Sequence, residues 1–333
     1  MNKLLTISIA AYNVEMYIEK LLDSIIDSGK LDEIEVLVVN DGSKDKTVEI
    51  TNKYVKRYPN SIYLINKPNG GHGSTINTGI KNAHGKYFKA IDGDDWIDST
   101  NLAKLIENMK KTNSDLILCN HKFVFEKNGS EEEKKFKISA NKEMLFDEVP
   151  LDELKGLCYH NTFYLTEILR EHHIKLTEHS FYVDSELAIY PLPYINTLIR
   201  FNLTIYCYRI GVEGQSVSVD GFHRHIQEHY NIIVKLLDFC SNNAAILSTH
   251  KKEFIYEFIG ELVAMHLNAQ FTYPISAHRL KIMLDFDNMI KKYPEIYNCM
   301  TYKRIKIWRY GRCILYIPVW IWCDYKRKKS TTW

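Results

Sequence analysis

The sequence lacks several features that define common protein classes. It has no run of about 18 consecutive apolar residues, which excludes a conventional membrane-spanning helix. Its seven cysteines are scattered, odd in number and without a CxxC pair, a pattern that argues for reduced thiols and against a disulfide framework or a structural zinc site. The N-terminus has no long apolar segment with a cleavage site, so we expect no secretion and a cytoplasmic location.

Charge is nearly balanced over the 333 residues but not along them. Lys and Arg number 43 against 41 Asp and Glu, a formal charge of +2. Residues 301–333 hold nine of the cations and one acid, which leaves 34 cations and 40 acids in the first 300 residues. A basic tail on an acidic body favours a polyanionic partner, with anionic lipid first, and a merely solvated tail is the alternative. Nothing in the charge pattern leads us to expect a nucleic-acid partner.

Apolar periodicity predicts an α/β protein with a mainly parallel sheet, because strand and helix signals alternate over the first 120 residues. The predicted strands are 4–10, 34–39, 62–65, 86–91 and 116–119, and the predicted helices are 14–26, 45–58, 74–83 and 101–111. Beyond them we predict a hairpin or loop at 127–137, a helix at 152–170, a strand at 198–208 and a mostly helical region at 225–292. These patterns divide the chain into regions 1–120, 121–220 and 221–333.

Four consecutive predicted strands end in polar, Gly-rich or acidic segments, at 10–15, 40–45, 67–73 and 92–95. In open α/β sheets, ligands bind at the carboxyl ends of the strands. The last segment places Asp92, Asp94 and Asp95 within four residues, and such hard oxygen ligands suit Mg²⁺ or Mn²⁺. The alternative is an acidic turn followed by a helix cap at Asp98 or Ser99.

The glycine-rich segment at 70–73 matches neither common phosphate-binding fingerprint. Ile76 occupies the third glycine position of a GxGxxG motif, and no GxxxxGK[ST] P-loop is present. What remains is a backbone that can approach a ligand closely and that leads into a helix N-terminus suited to phosphate or sugar hydroxyls. An ordinary strand-to-helix turn is the alternative.

Five motifs together resemble one known family. They are AYNVE..YI at 11–18, LDSI at 22–25, VVNDGSKDKT at 38–47, NGGHG...NTG at 69–79 and DGDDW at 92–96. In this order they closely resemble the family 2 glycosyltransferases of the GT-A fold, an inverting family that builds bacterial surface polysaccharides. The resemblance is strong over residues 4–120, moderate to about 220 and weak beyond.

The resemblance assigns roles to individual residues. Asp41 would hydrogen-bond the nucleotide base or ribose, and Asp92 the ribose. Asp94 would bind the divalent metal that holds the diphosphate, and Asp95 would contact the donor sugar or a nearby water. The remaining implied nucleotide- and donor-binding residues are Ala11, Tyr12, Asn13, Glu15, Asn69, Gly70, Gly71 and Gly73.

Inverting transfer also requires a general base, because a sugar hydroxyl is a poor nucleophile until its proton leaves. The family places this base in an acidic pair at a helix start in the second half of the domain. Asp184 matches that position, although Val183 stands where Glu is usual. Glu186 is the alternative base, and a plain helix cap is the alternative role for Asp184.

Further along, Arg209 resembles the family's arginine that helps to neutralise the diphosphate or orders the loop over it. A histidine from this region binds the metal in many GT-A enzymes. The resemblance therefore implies His223, with His225 as the alternative.

The C-terminal tail combines aromatic and basic residues. Residues 313–323 carry no charge, contain Pro318 and are too short to span a bilayer. Cationic clusters flank them on both sides, which predicts a segment lying in the interface plane of an anionic membrane. A helix packed on the body, with Trp320 in its core, is the alternative.

The sequence thus predicts a metal-dependent inverting glycosyltransferase using a nucleotide diphosphate sugar, with uracil as the favoured base. The expected acceptor is a glycan or a polyprenol-linked glycan, and the expected location is peripheral at the inner face of the cell membrane. Two alternatives stay open. A sugar-nucleotide pyrophosphorylase would carry GxGxR after strand one, where Tyr12 and Asn13 stand, and a non-catalytic binding module would carry damaged carboxylate motifs.

Overall fold

The computed structural model describes residues 3–211, 219–299 and 303–329. The chain forms two compact units, Met1–Val212 and Glu213–Trp333. The first unit contains the predicted region 1–120 and nearly all of 121–220, and both regions contribute strands to one sheet.

The first half of this sheet is parallel, as predicted. Strands β1 to β4 lie in the order β3-β2-β1-β4 and pair in parallel. Strand β2 is apolar in five of its seven residues and buried along its whole length, as expected for a central strand covered on both faces. The strands are β1 (Leu5–Ala11), β2 (Ile34–Asn40), β3 (Ile62–Asn66) and β4 (Tyr87–Asp92), and the helices are α1 (Ile18–Ile26), α2 (Thr47–Arg57), α3 (His72–Asn82) and α4 (Ser99–Met109).

The second half makes the sheet mixed and extends its order to β3-β2-β1-β4-β9-β6-β10-β5. Strand β10 pairs in parallel with β6, whereas β9 is antiparallel to both of its neighbours. The elements are β5 (Trp96–Ile97), β6 (Leu116–Phe125), β7 (Glu131–Lys134), β8 (Glu143–Leu145), α5 (Leu151–Leu154), β9 (Thr162–Leu165), α6 (Thr166–Glu171), α7 (Asp184–Ile189) and β10 (Thr197–Ile210). The α/β class is confirmed, and β7 pairs with β6 as the hairpin predicted near 127–137.

The predicted helix at 152–170 is wrong in its centre. Strand β9 lies there, and short helices precede and follow it. Thr162, Phe163 and Tyr164 are β-branched or aromatic and buried between β4 and β6, so sheet pairing overrides the weak helical pattern.

The second unit is helical, as predicted for the C-terminal extension. Its helices are α8 (Val219–Arg224), α9 (Ile226–Asn242), α10 (Thr249–Gln270), α11 (Ala277–Ile290), α12 (Pro294–Cys299) and α13 (Lys303–Lys329). Helix α10 packs against α9, α11, α12 and α13. Across the described ranges, we find no helix with the length and apolar character needed to cross a bilayer.

Helix α13 carries the aromatic and basic tail and packs on this unit along one face. Ile305 and Trp308 are fully buried, and the indole N–H of Trp320 donates to the Tyr273 carbonyl at 2.7 Å. Arg309 forms an ion pair with the buried Asp287, 2.7 Å between Nε and Oδ1. One side of the tail helix is therefore buried against the rest of the second unit.

Candidate active site

The loops after β1 and β2 are joined by hydrogen bonds between side chains and backbone. The Lys44 N–H donates to Oδ1 of Asn13 at 2.8 Å, and the Lys46 N–H donates to Oε2 of Glu15 at 2.7 Å. Asn13 adopts a left-handed φ of 53°, a conformation that Asn tolerates better than most residues. Asn13 and Glu15, both predicted to bind nucleotide, thus shape the loop pair.

Ala11 and Tyr12 lie at the mouth of the same loop pair. The buried Ala11 accepts a hydrogen bond from the Asp41 N–H through its carbonyl, at 2.9 Å. The Tyr12 ring is 52% exposed, so it is available to stack on a planar base.

Asp41 orders the glycine-rich loop after β3. Its buried carboxylate accepts hydrogen bonds from the Lys67 ammonium (2.5 Å) and from the Gly70 and Gly71 N–H groups (2.9 and 2.8 Å). The Asn69 amide donates to the Asp41 carbonyl at 3.1 Å. The predicted nucleotide contact therefore also holds the loop, and Lys67 is a member of this site that the sequence did not identify.

Two glycines allow the loop before α7 to pack on the start of α3. A Cβ on Gly73 would lie 2.0 Å from the Thr177 carbonyl oxygen, and a Cβ on Gly71 would lie 3.1 Å from the His179 backbone. Gly71 also has a φ of +80°, which disfavours any side chain. Gly73 is predicted to line the donor pocket; in the structure it is buried and provides this close packing.

Asp92 is the last residue of β4, and the side chains of His72, Tyr159 and Tyr206 surround its carboxylate. It accepts a hydrogen bond from the Tyr159 hydroxyl at 3.2 Å, and its Oδ1 lies 2.9 Å from Nε2 of His72. Burial opposes ionisation, but the charge and hydrogen bond of His72, together with His160 and the Tyr159 hydroxyl, outweigh it and lower the pKa of Asp92 to about 2. Asp92 is therefore a carboxylate throughout the physiological pH range.

The other two carboxylates of the cluster are destabilised as anions. Burial, and next the Asp92 charge, raise the pKa of Asp94 to about 6. Asp95 is fully buried, and burial and the charges of Asp94 and Asp92 raise its pKa well above the usual range. Its carboxylate accepts hydrogen bonds from the Tyr206 hydroxyl (2.5 Å) and the Arg209 N–H (2.8 Å). The nearby positive charges do not balance those of the three carboxylates. A bound Mg²⁺ or Mn²⁺ would supply the missing positive charge.

Arg209 fixes the backbone of this acidic loop. Its Nε donates to the Asp94 carbonyl at 2.7 Å, and its guanidinium lies over the rings of Tyr17 (4.7 Å) and Trp96 (4.9 Å). It also forms an ion pair with Glu126. The implied roles, neutralising the diphosphate or ordering the loop over it, stay predictions.

Asp184 is the first residue of α7. Burial raises the pKa of its carboxyl, with the Asp92 charge acting in the same direction and His72 against it. Val183, in the position where Glu is usual, is fully buried. A carboxylate with a raised pKa is a stronger base, so this environment suits the predicted role.

Glu186 is engaged in holding the loop before α7. It is fully buried and accepts hydrogen bonds from the N–H and hydroxyl of Thr177 (2.6 and 2.7 Å) and from the Tyr190 hydroxyl (2.9 Å). These three donors favour Asp184 over Glu186 as the base.

His223 and His225 belong to the second unit. The His223 ring stacks on Tyr273, with 3.9 Å between centroids, and its Nε2 contacts the Thr272 hydroxyl. Nδ1 of His225 lies 2.8 Å from the Glu228 carboxylate. Metal binding by either histidine stays a prediction.

The sequence assigned no role to four members of the site. His72 was visible within the NGGHG motif but had no role, and Lys67 lies two residues before that motif. Tyr159 and Tyr206 reach Asp92 from positions 67 and 114 residues away along the chain. Only the sheet order brings them to the carboxylates.

The sheet and the acidic cluster at its edge define an α/β protein with a candidate ligand site at the carboxyl ends of its strands. The family described as glycosyl transferase family 2 matches residues 6–172, and the chain belongs to this family. Over 116 residues it is 40% identical to the uncharacterized glycosyltransferase EpsJ of Bacillus subtilis (strain 168), which is 35% of this chain and 33% of EpsJ. Over 87 residues it is 40% identical to the minor teichoic acid biosynthesis protein GgaB of the same organism, which is 26% of this chain and 10% of GgaB.

The chain thus spans a third or less of the length of these curated relatives. Among solved structures, S. aureus TarS 1–349 in complex with UDP-GlcNAc superposes with a TM-score of 0.72 at 21% identity, covering 98% of this chain and 92% of that one. This likeness confirms the GT-A fold.

Proposed function

We propose that this protein is a metal-dependent, inverting glycosyltransferase. It moves a sugar from a nucleoside diphosphate sugar, UDP-linked, to a glycan or polyprenol-linked acceptor in surface polysaccharide synthesis. The observation that carries the proposal is the acidic cluster of Asp92, Asp94 and Asp95 at the end of β4, with Asp184 close enough for the Asp92 charge to act on its pKa. The UDP-GlcNAc complex of TarS and the teichoic acid role of GgaB support the donor and the product class.

The divalent ion, Mg²⁺ or Mn²⁺, would be held by Asp94 with Asp92 beside it. When bound, it supplies positive charge to the diphosphate of the donor. The Asp94 carboxyl must lose its proton for this, whereas Asp92 is already ionised.

The chain's own groups supply the rest of the reaction. The half-exposed Tyr12 ring and the loop held by Asp41 would bind the nucleotide and orient the donor sugar. The acceptor oxygen then bonds to the anomeric carbon while the bond from that carbon to the diphosphate oxygen breaks. Asp184 takes the acceptor's hydroxyl proton, and the nucleoside diphosphate leaves.

The test is turnover of a panel of nucleotide sugars by the full chain with Mn²⁺. We expect release of free nucleoside diphosphate, fastest from one UDP-sugar and faster still with a glycan or lipid-linked acceptor. Release of a nucleoside triphosphate in the presence of pyrophosphate would instead identify a pyrophosphorylase. Binding without any turnover would identify a binding module.

We also propose that the second unit docks on the anionic inner face of the cell membrane. On a helix of 3.6 residues per turn, Tyr310, Ile317 and Ile321 project from one side of α13, opposite the buried Ile305 and Trp308. The three are 95%, 54% and 56% exposed. An aromatic and aliphatic stripe on a helix rich in Lys and Arg is typical of an interfacial helix.

A further inference from the structure

We propose that His121, Cys158 and His160 form a second metal site, separate from the acidic cluster and suited to Zn²⁺. One ligand atom from each residue lies within 4.8 Å of the other two. A thiolate with two imidazoles is a donor set for zinc, whereas carboxylates suit Mg²⁺ or Mn²⁺. The two sites of the first unit would therefore select different metals.

The distances approach those of tetrahedral zinc. Zn–S and Zn–N bonds of about 2.3 and 2.0–2.1 Å place the S and N ligands of a tetrahedral site about 3.5 Å apart. Sγ of Cys158 and Nδ1 of His160 are 3.6 Å apart, so this edge of the tetrahedron is already formed. The widest gap would close by about 1.3 Å, which rotation of an imidazole ring can supply.

Regular structure holds the three ligands in place. His121 lies on β6 and is buried, and Cys158 and His160 flank Tyr159 at the start of a single 3₁₀ turn. The Lys89 ammonium donates to the carbonyls of Tyr159 and His160 at 2.6 and 2.9 Å, which ties this turn to β4.

Asn161 links the turn to the other ligands. Its side-chain oxygen accepts the Cys158 N–H at 3.0 Å, and its amide nitrogen lies 3.5 Å from Nδ1 of His121. Such outer contacts orient metal ligands in known sites.

The proposed site is next to the tyrosines that contact the acidic cluster. The His160 ring packs on Tyr208 (4.5 Å), Tyr206 (4.9 Å) and Tyr159 (5.2 Å between centroids). The hydroxyls of Tyr206 and Tyr159 reach Asp95 and Asp92. A metal at His160 would therefore brace the groups that hold the acidic cluster, and its role is positional.

Cobalt absorption tests the site, because Co²⁺ replaces Zn²⁺ and reports its ligands. The full chain is freed of metal with a chelator, transferred to excess Mg²⁺ to fill the acidic cluster, and titrated with Co²⁺. We expect a thiolate-to-cobalt charge-transfer band with the visible bands of tetrahedral Co²⁺, both abolished by one equivalent of Zn²⁺. Oxygen ligands at the acidic cluster cannot produce the thiolate band.

Variants assign the band to its ligands. Cys158→Ser should abolish it, and His160→Asn should weaken Co²⁺ binding by more than the 10- to 100-fold that loss of an outer contact costs. Cys240→Ser, a buried free thiol of the second unit, and Asp94→Asn should both keep the band. Circular dichroism checks that each variant is folded, and His121→Asn replaces any variant that is not.

Two results would overturn the proposal. One is the absence of a thiolate band in the folded wild-type chain at millimolar Co²⁺. The other is a band that persists in Cys158→Ser or disappears in Cys240→Ser. Neither result bears on the proposed transfer reaction, whose test is nucleoside diphosphate release.

Discussion

Nε2 of His72 lies 2.9 Å from Oδ1 of Asp92. Burial acts to lower the pKa of His72, but the charge and hydrogen bond of Asp92, together with the charges of Asp184 and Asp94, outweigh it and the pKa is raised. The protonated form of His72 is thus favoured, and it lies beside only one of the three carboxyl groups of the cluster. Asp94 and Asp95 have too little positive charge near them to offset burial and their mutual repulsion, and their pKa values are therefore raised. A divalent cation beside them would supply that charge.

Asp94→Asn should abolish the metal dependence of nucleotide binding. The amide keeps the shape of the side chain but loses the negative charge that would hold the ion. We expect turnover to fall by at least ~10², since the ion's charge stabilisation contributes several kcal/mol. Calorimetry of UDP binding with and without Mn²⁺ measures the first effect, and the exposed Glu49→Gln is the control. Full activity of the wild-type chain in excess EDTA would contradict the metal's role.

Metal-supported UDP binding should weaken as the pH falls below about 6. The Asp94 pKa of about 6 means that a proton competes with the ion below that pH. At pH 5 about nine-tenths of Asp94 is protonated, so the apparent Kd should rise about tenfold relative to pH 7. Calorimetry at the two pH values checks this, and Asp94→Asn should show a much smaller change. An unchanged wild-type Kd would contradict it.

The same pKa shift affects folding of the metal-free chain. The folded state holds the Asp94 proton up to about pH 6, whereas the unfolded state loses it near 3.8. Because the folded state binds more protons in this range, this group's contribution to stability decreases as the pH rises from about 4 to 6. Metal should restore that loss.

Asp184→Asn should lower turnover by about 10²–10⁴, the usual contribution of a general base. The change removes the proton acceptor, so donor affinity should stay the same. Single-turnover kinetics and nucleotide binding separate these two effects.

Glu186→Gln is the matched comparison. Its buried carboxylate accepts three hydrogen bonds from Thr177 and Tyr190, so its loss should lower the free energy of unfolding by about 1–3 kcal/mol. Urea unfolding measures this. A large loss of turnover in Glu186→Gln, with Asp184→Asn still active, would identify Glu186 instead of Asp184 as the general base.

The sequence predicted those features that depend on neighbouring residues along the chain. The apolar run of β2 and the acidic end of β4 could be recognised, because the residues of each segment themselves determine the strand type and the chemistry of the loop. Strand β9 could not, since its pairing with β4 and β6 outweighs its own propensity. The His121–Cys158–His160 cluster was also hidden, because its first two members are 37 positions apart in the sequence.

The buried pair His229 and His266 should make the second unit acid-sensitive. Their Nδ1 atoms are 3.3 Å apart, and burial lowers both pKa values to about 3. The unfolded state takes up these protons below about pH 6.5, so stability is lost as the pH falls through that value. The loss is about 1.4 kcal/mol per pH unit for each histidine.

Urea unfolding between pH 5 and 6.5 measures this slope. His229→Phe should reduce the slope by about one proton, whatever it does to the stability at pH 7. His278→Asn, at an exposed histidine of α11, is the control and should leave the slope unchanged. An unchanged slope in His229→Phe would show that the pair is not protonated on unfolding.

Membrane docking has to be tested without deleting α13. Deletion would remove the fully buried Ile305 and Trp308 from the second unit, so loss of binding could reflect unfolding. The ion pair of Arg309 with Asp287 also removes one of the nine tail cations from contact with lipid. The exposed stripe is the part of the tail that can be changed separately.

The triple substitution Tyr310→Ser, Ile317→Ser and Ile321→Ser should release the chain from anionic vesicles in high salt. Charges are screened beyond about 8 Å at physiological ionic strength, whereas apolar contacts are not. Each half-exposed Ile should contribute about 1 kcal/mol when it enters the interface, so the triple variant should bind at least tenfold more weakly. Vesicle flotation measures this, with Ile246→Ser and Ile275→Ser as the control at exposed sites outside α13. UDP binding and the unfolding temperature should stay unchanged, and equal flotation of the two variants would contradict docking through this stripe.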